Sequence, residues 1–210
     1  MVGRITNAKL PDVEAQAYLI GHLHTEYRPT ASLSRTGRTF ADTFGRLPFQ
    51  MEVYLSNVSP LDQAMDEPMA RSNELKKLQG ILESEVKSAF AEILGEPFVP
   101  KDSPSETSDL QTTQLLLEGE QVSAVFAFKG RGVPRPLTVA NSSKHGDQIA
   151  KLFAEPAELV IFQHCDKVTS HFRATMRAFA TRIDRLRPFM IIDGNDTVRV
   201  LRHFRKLGFS

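Results

Sequence analysis

The 210-residue sequence contains one cysteine, Cys165, and no tryptophan. A single cysteine excludes an internal disulfide and suits a reducing compartment. No apolar run approaches the roughly 20 residues that a membrane-spanning helix requires. Residues 1–24 lack the basic-then-apolar pattern of a secretory signal. We therefore expect a cytoplasmic protein that does not contact a membrane.

The sequence also lacks a strong net charge, which is +1, and 41% of its residues are hydrophobic against 24% charged. This composition is ordinary for a globular protein and does not by itself indicate a nucleic-acid-binding protein. Arginine is nevertheless concentrated near the end of the chain, where eight occur between residues 172 and 205 against three aspartates. Such a basic segment either follows a phosphate backbone or forms solvated helix faces.

The pattern of apolar residues predicts two regions, a β-containing region over residues 1–68 and an α/β domain over residues 69–210. The first includes a strand at "QMEVYLS". The second opens with an amphipathic helix over 74–94, capped by Asn73 and ended by Gly95. The expected order of elements in this domain is helix, strand, strand, helix, strand, helix, strand, helix. Asn195 is expected to cap the last helix. This alternation predicts an α/β fold with a central mixed β-sheet flanked by helices.

The strand "VFAFKGRG" ends on a charged residue, Lys129, followed by glycines. Asp109 begins the strand before it, and a hairpin brings the start of one strand close to the end of the next. A carboxylate at that position can hold a divalent cation such as Mg²⁺ or Mn²⁺. A lysine beside it can orient a water molecule or stabilise charge that develops on a phosphate.

In these elements the chain resembles the PD-(D/E)XK superfamily of phosphodiesterases, which have the restriction-endonuclease-like fold. The matching parts are the 74–94 helix, Asp109, the "FAFK" strand end, the helix that begins at "GDQI", and the strand "ELVIFQHC". The resemblance implies a divalent-metal-dependent nuclease that acts on nucleic acid, with DNA favoured, and a role in defence against foreign DNA. It implies that Asp109 binds the metal, that Lys129 is catalytic and that Gln148 orients the site.

The sequence departs from that family at Ala127, where an aspartate or glutamate is usual. Residues 127 and 129 share one face of a strand, so a metal-binding carboxylate is missing beside Lys129. One interpretation is that another carboxylate replaces it, either from Glu118 or Glu120 or from the preceding helix, where Glu85 is preferred over Glu83. The other is that catalysis is lost and the fold binds nucleic acid or a partner protein, with a homodimer as a further possibility.

The basic residues around the strand end are the expected contacts to the nucleic-acid backbone, namely Arg131, Arg135 and Lys144, together with the C-terminal arginines. Each candidate also has a purely structural explanation. Asp109 can simply begin a strand, Lys129 can protect a sheet edge, and Gln148 can be an ordinary first-turn residue of a helix that Asp147 caps. Cys165 follows an apolar run, which favours a buried thiol over a reactive one.

Overall fold

The computed structural model describes residues 51–97, 108–133, 136–142, 147–182 and 186–210. At its centre is the predicted hairpin, made of β3 (Leu110–Leu117) and β4 (Glu120–Lys129). Glu118 and Gly119 connect the two strands with φ angles of 53° and 86°. Two successive residues with positive φ are typical of a type I′ turn, whose twist matches that of the flanking strands.

The described residues form one six-stranded sheet in the order β1-β6-β5-β4-β3-β2. The neighbours β1–β6, β6–β5 and β5–β4 are parallel, whereas β4–β3 and β3–β2 are antiparallel. β5 (Leu159–His164) and β6 (Phe189–Ile192) are buried along their whole length, as parallel strands covered on both faces should be. The predicted α/β fold with a mixed sheet and flanking helices is confirmed.

Five α-helices in the described ranges cover this sheet. One face carries the helices whose buried side chains join Phe126 and Phe128 in the main hydrophobic core. The opposite face carries the other two, with Phe162 of β5 packed edge-on against Phe172 at 4.7 Å between ring centres. The first group is α1 (Ser72–Gly80), α2 (Glu83–Ile93) and α5 (Gly194–His203), and the second is α3 (Gln148–Ala154) and α4 (Ser170–Ala180).

The strand predicted at "QMEVYLS" lies in this sheet and not in a separate region. β1 (Glu52–Val53) pairs with β6, and β2 (Val58–Ser59) pairs with β3. The compact unit therefore begins at Met51, ahead of the boundary expected after residue 68. The rest of the predicted N-terminal region, residues 1–50, lies outside the described residues.

The single helix predicted over 74–94 is two helices, because the chain is extended at Ile81 and Leu82, with ψ angles of 144° and 145°. The Glu85 carboxylate accepts a hydrogen bond from the Leu82 amide at 2.9 Å and starts the second helix there. The first helix begins at Ser72, so Asn73, the predicted cap, is its second residue and not its N-cap. Apolar spacing continues across the break, which is why the sequence pattern did not reveal it.

The last helix is capped by Asp193 and not by Asn195. The Asp193 carboxylate accepts hydrogen bonds from the amides of Asn195 and Asp196 at 2.9 and 3.1 Å. An aspartate two residues upstream satisfies the first free amides of the helix better than the predicted asparagine can from within the first turn.

None of the helices in the described ranges combines the length and the apolar character needed to cross a bilayer.

Candidate functional site

Three parallel strands end at the same edge of the sheet. β4 ends at Lys129, and this residue lies in register with His164, the last residue of β5. β6 ends next to β5 and is followed directly by Asp193. In open α/β sheets, ligands bind outside the carboxyl ends of the parallel strands, so this edge is where a functional site is expected.

Asp109 lies at this edge, immediately before β3, as predicted. Its carboxylate accepts a hydrogen bond from the amide of Phe128 at 2.6 Å, and its own amide donates to the carbonyl of Phe126 at 2.8 Å. Hairpin pairing therefore places the Asp109 carboxylate beside the residue that precedes Lys129. The predicted juxtaposition of these two strand ends is present in the fold.

The ammonium group of Lys129 lies 3.6 Å from Oε1 of Glu83, the first residue of α2. The second oxygen of the same carboxylate accepts a hydrogen bond from the Gly130 amide at 2.9 Å. The helix preceding the hairpin thus supplies a carboxylate next to the lysine. That carboxylate belongs to Glu83, while the preferred candidate Glu85 is exposed and caps the start of α2 instead.

Two main-chain amides at the end of β4 are therefore capped by carboxylates, that of Phe128 within the strand and that of Gly130 directly after it. Phe128 and Gly130 are two residues apart on an extended strand, roughly 7 Å, and their amides point to the same side. β3 begins only at Leu110, which pairs with Phe126, so no residue of β3 lies opposite Phe128 or Gly130. The carboxylates of Asp109 and Glu83 take that place, which gives both residues a structural role in addition to any chemical one.

Ala127 is fully buried, at 0% exposure. It pairs in register with Phe162, which packs against Phe172 on the face that α4 covers. A carboxylate at position 127 would be withdrawn from water, which is costly for a charged group. Burial therefore explains why an acidic residue is not found two positions before Lys129.

The backbone of Lys129 is fixed from the opposite side by β5. Its carbonyl accepts a hydrogen bond from the amide of Cys165 at 3.2 Å, and Nδ1 of His164 lies 2.9 Å from the same oxygen. His164 and Cys165 are both buried. The buried thiol predicted for Cys165 is confirmed.

The other predicted site residues lie further out. Gln148 is the first residue of α3 and half-buried, and it follows Asp147 at the N-cap position. Arg131 is exposed and donates to the Gly80 carbonyl at 3.4 Å, where α1 ends. Arg135 and Lys144 lie outside the described residues.

Two carboxylates, those of Asp109 and Glu83, lie at the sheet edge where the sequence predicts a Mg²⁺ or Mn²⁺ site. No group of three or more His, Cys, Asp or Glu side chains within the described ranges is placed to hold a metal ion. Mg²⁺ usually keeps several water molecules and is bound by one or two carboxylates together with substrate phosphate oxygens. The donors that are present fit such a site.

A second pair of carboxylates follows β6 at the same edge. Burial raises the pKa of Asp196, and the negative charge of Asp193 raises it further, while Arg199 opposes both effects. Arg199 also contacts the Asp196 carboxylate at 3.3 Å. Since Asp193 caps α5 and Asp196 pairs with an arginine one turn away, both have a structural explanation.

Five of the C-terminal arginines in the described ranges contact other groups of the protein. Arg173 and Arg177 of α4 both form ion pairs with Glu52 of β1, whose side chain is only 3% exposed. A carboxylate buried to that degree requires a positive partner. These two arginines thus secure an edge strand of the sheet.

Three further arginines stabilise the fold in the same manner. Arg187 donates to the carbonyl of Glu155. Arg199 donates to the carbonyl of Glu67 at 3.0 Å. The guanidinium group of Arg202 donates to both carboxylate oxygens of Glu74, at 2.6 and 2.7 Å. The concentration of arginine near the end of the chain is therefore explained, for these residues, by intramolecular contacts.

Sequence reasoning placed Asp109 and Lys129 together and ranked Glu83 below Glu85. The signal that separates the two glutamates is local. Glu85 stands three residues after Leu82, the spacing at which a glutamate side chain reaches back to the start of its helix. Glu83 is the first residue of the helix, and its carboxylate contacts the Lys129 ammonium and the Gly130 amide instead.

Comparison of the chain with models of protein families, with curated proteins and with solved structures finds no match. The resemblance to PD-(D/E)XK phosphodiesterases therefore depends on the motif residues and on the element order alone.

Proposed function

We propose that this protein is a divalent-metal-dependent nuclease that hydrolyses phosphodiester bonds of nucleic acid, with DNA as the favoured substrate. The observation that carries the proposal is the position of the Asp109 carboxylate, 2.6 Å from the amide of Phe128, directly before Lys129. A carboxylate and a lysine at adjacent positions of one sheet edge provide a ligand for a hard cation and a fixed positive charge.

In this proposal Asp109 holds Mg²⁺ or Mn²⁺, and the Glu83 carboxylate lies beside the Lys129 ammonium. The bound ion would polarise the scissile phosphate and lower the pKa of a coordinated water molecule. The Lys129 ammonium stabilises the negative charge that develops when water oxygen bonds to phosphorus and the ester oxygen departs. The water proton finally resides on the departing oxygen or in solvent, so the reaction consumes one water molecule per bond. Gln148 and the exposed Arg131 orient the substrate backbone.

The test is cleavage of single- and double-stranded DNA and RNA by the purified full-length chain, with Mg²⁺, Mn²⁺ or EDTA. Asp109→Asn and Lys129→Met remove one charge each and keep approximate side-chain size. Lys76→Met serves as the matched control because Lys76 is an exposed lysine of α1, away from the sheet edge. We expect loss of cleavage in EDTA and in the two site variants, on the order of 100-fold or more for removal of a group that stabilises developing charge. Cleavage that persists unchanged in both site variants contradicts the assignment.

The competing function is a nuclease-like module that binds nucleic acid or a partner protein without cleaving. Two observations favour it: Ala127 is buried where the family carries an acid, and both nearby carboxylates already accept main-chain hydrogen bonds. Binding of labelled DNA or RNA, measured by fluorescence anisotropy in the same buffers, separates the two functions. Binding without metal-dependent product formation supports the module, and the Lys129→Met variant then shows whether the lysine contributes to affinity.

A further inference from the structure

Glu83 connects two elements that are distant in sequence. One carboxylate oxygen lies 3.6 Å from the Lys129 ammonium, and the other accepts the Gly130 amide at 2.9 Å. The same side chain therefore contacts both the charged group of the strand end and the main chain one residue later. A carboxylate held at two points has fewer accessible orientations than one in a single surface ion pair.

The backbone around Glu83 is packed as tightly as its side chain. A Cβ atom added to Gly130 would lie 2.9 Å from Cβ, 3.0 Å from N and 3.1 Å from Cα of Glu83. Two of these atoms belong to the main chain at the start of α2 and cannot rotate away. Gly130 is thus required by the close approach of helix and strand, whereas a Cβ on Gly132 would meet no atom within 4 Å.

The ion pair occupies a partly shielded position. The Lys129 side chain is 16% exposed and that of Glu83 is 37% exposed. A charged side chain that is mostly buried is stabilised by a countercharge, and the buried Ala127 supplies none. Because the Lys129 carbonyl is bound to the Cys165 amide, β5 fixes the main chain of this residue and α2 fixes its side chain.

We propose that Glu83 is a positioning residue for Lys129. It holds the ammonium group at the edge of the sheet from the α2 side and supplies the negative charge that the strand lacks at Ala127. It acts through Lys129, and its part in catalysis rests on the proposed nuclease function. The geometric part, that Glu83 holds the lysine in place, is independent of any reaction.

The test uses two glutamates of the same helix turn. Glu83→Gln removes the charge and keeps an oxygen that can accept the Gly130 amide. Glu85→Gln is the matched control, because Glu85 is exposed and its carboxylate accepts the Leu82 amide. The first measurement is the rate of acetylation of Lys129 by an amine-reactive reagent, followed by peptide mass spectrometry with Lys76 as internal reference. We expect a several-fold faster reaction at Lys129 in Glu83→Gln and an unchanged rate in Glu85→Gln.

The second measurement is steady-state cleavage under saturating Mg²⁺. A positioning role predicts that Glu83→Gln lowers kcat by on the order of 10- to 100-fold with little change in KM, since misplacement of a reacting group by about 1 Å has effects of this size. Glu85→Gln should retain the kcat of the unmodified chain. Equal kcat in the two variants overturns the catalytic part of the proposal, even where acetylation is faster.

Gly130→Ala provides a second perturbation that leaves both charges in place. The added methyl group forces α2 away from the strand end, so Lys129 should again be acetylated faster, whereas Gly132→Ala should have no effect. An unchanged acetylation rate in both Glu83→Gln and Gly130→Ala overturns the proposal. If the unmodified chain cleaves no substrate, the nuclease function fails, and acetylation alone then decides whether Glu83 holds Lys129.

Discussion

The carboxylate of Asp109, the residue just before β3, accepts a hydrogen bond from the amide of Phe128 at 2.6 Å, where β4 continues toward Lys129. Phe128 is fully buried, so its amide would otherwise lack a hydrogen-bond partner away from water. This contact gives Asp109 a structural role, and a test of its chemical role must distinguish the two.

We therefore expect two substitutions of Asp109 to differ. Asp109→Ala leaves the Phe128 amide without its acceptor and should lower the free energy of unfolding by about 1–3 kcal/mol. Asp109→Asn keeps an oxygen acceptor and should retain most of that stability, while it loses the charge that a divalent ion requires. Urea unfolding monitored by circular dichroism, combined with the cleavage assay, checks both statements. Equal destabilisation by the two substitutions would show that the charge itself is needed for folding.

An acidic residue reintroduced in the strand should fail to improve the site. Ala127→Asp places a carboxylate where exposure is 0%, so we expect the free energy of unfolding at pH 7 to fall by several kcal/mol. The loss in free energy of unfolding should become smaller as the pH is lowered. Burial raises the pKa of a carboxyl group, and the neutral form is tolerated better in a buried position. Urea unfolding at pH 7 and pH 5 measures this difference. A variant of normal stability with enhanced metal-dependent cleavage would mean that position 127 is open to the site.

The arginines of α4 are predicted to stabilise the sheet and to leave nucleic-acid binding unchanged. Arg173→Ala with Arg177→Ala removes both partners of the buried Glu52 carboxylate and should cost about 3–5 kcal/mol. Glu52→Gln should cost less, because both arginines can turn to solvent. Thermal unfolding orders the two variants, and the salt dependence of DNA affinity measures the phosphate contacts. A shallower dependence of log affinity on log salt concentration in the double variant would show that these arginines contact nucleic-acid phosphates.

Acid should weaken the contact that joins α1 to α5. Hydrogen bonds from the Arg202 side chain, and then from the Arg71 main chain, hold the pKa of Glu74 below its usual value. The folded state therefore binds the proton less readily than the unfolded chain does. The stabilisation is complete above the ordinary glutamate pKa, roughly 4.3, and is lost as the pH falls through the lower folded value.

Glu74→Gln should accordingly lower the free energy of unfolding at pH 7 by about 1.5–3 kcal/mol, the range for hydrogen bonds to charged groups. Its unfolding free energy should also vary less with pH below about 4.5 than that of the unmodified chain. Denaturant unfolding from pH 3 to pH 7 gives both quantities, and Glu118→Gln in the hairpin turn is an exposed control. Parallel pH profiles for Glu74→Gln and the unmodified chain would contradict the assigned role of this pair.

Much of the fold follows from local pattern. The alternation in 110–129 and the glycine between its two halves determined the hairpin, because a period of two places apolar residues on one face of a strand and Gly119 tolerates a positive φ. The continuous apolar runs at β5 and β6 indicated strands buried on both faces. The order of helices and strands and the mixed sheet could thus be predicted without coordinates.

The partners of charged side chains could not be predicted in this way. Glu83 meets Lys129 across 46 positions of sequence because α2 begins where β4 ends, and only the packing of Gly130 against that helix brings the two together. The spacing of three residues after Leu82 accounts for the role of Glu85, but no local spacing shows that Glu83 contacts Lys129. Whether two charged side chains form an ion pair depends on their separation to within a few ångströms in the folded protein. Which residues are buried depends mainly on the spacing of apolar residues along the sequence.

The sequence by itself determined the type and order of the elements, the buried cysteine, and the approach of Asp109 to the end of β4, because these depend on apolar periodicity and turn conformation. The tertiary structure decided that Ala127 is buried beneath a covered face, that the arginines of α4 and α5 bind within the protein, and that the carboxylate beside Lys129 comes from α2. These outcomes depend on how separate elements pack, and packing is set by side-chain volume and charge contacts between residues far apart in the chain.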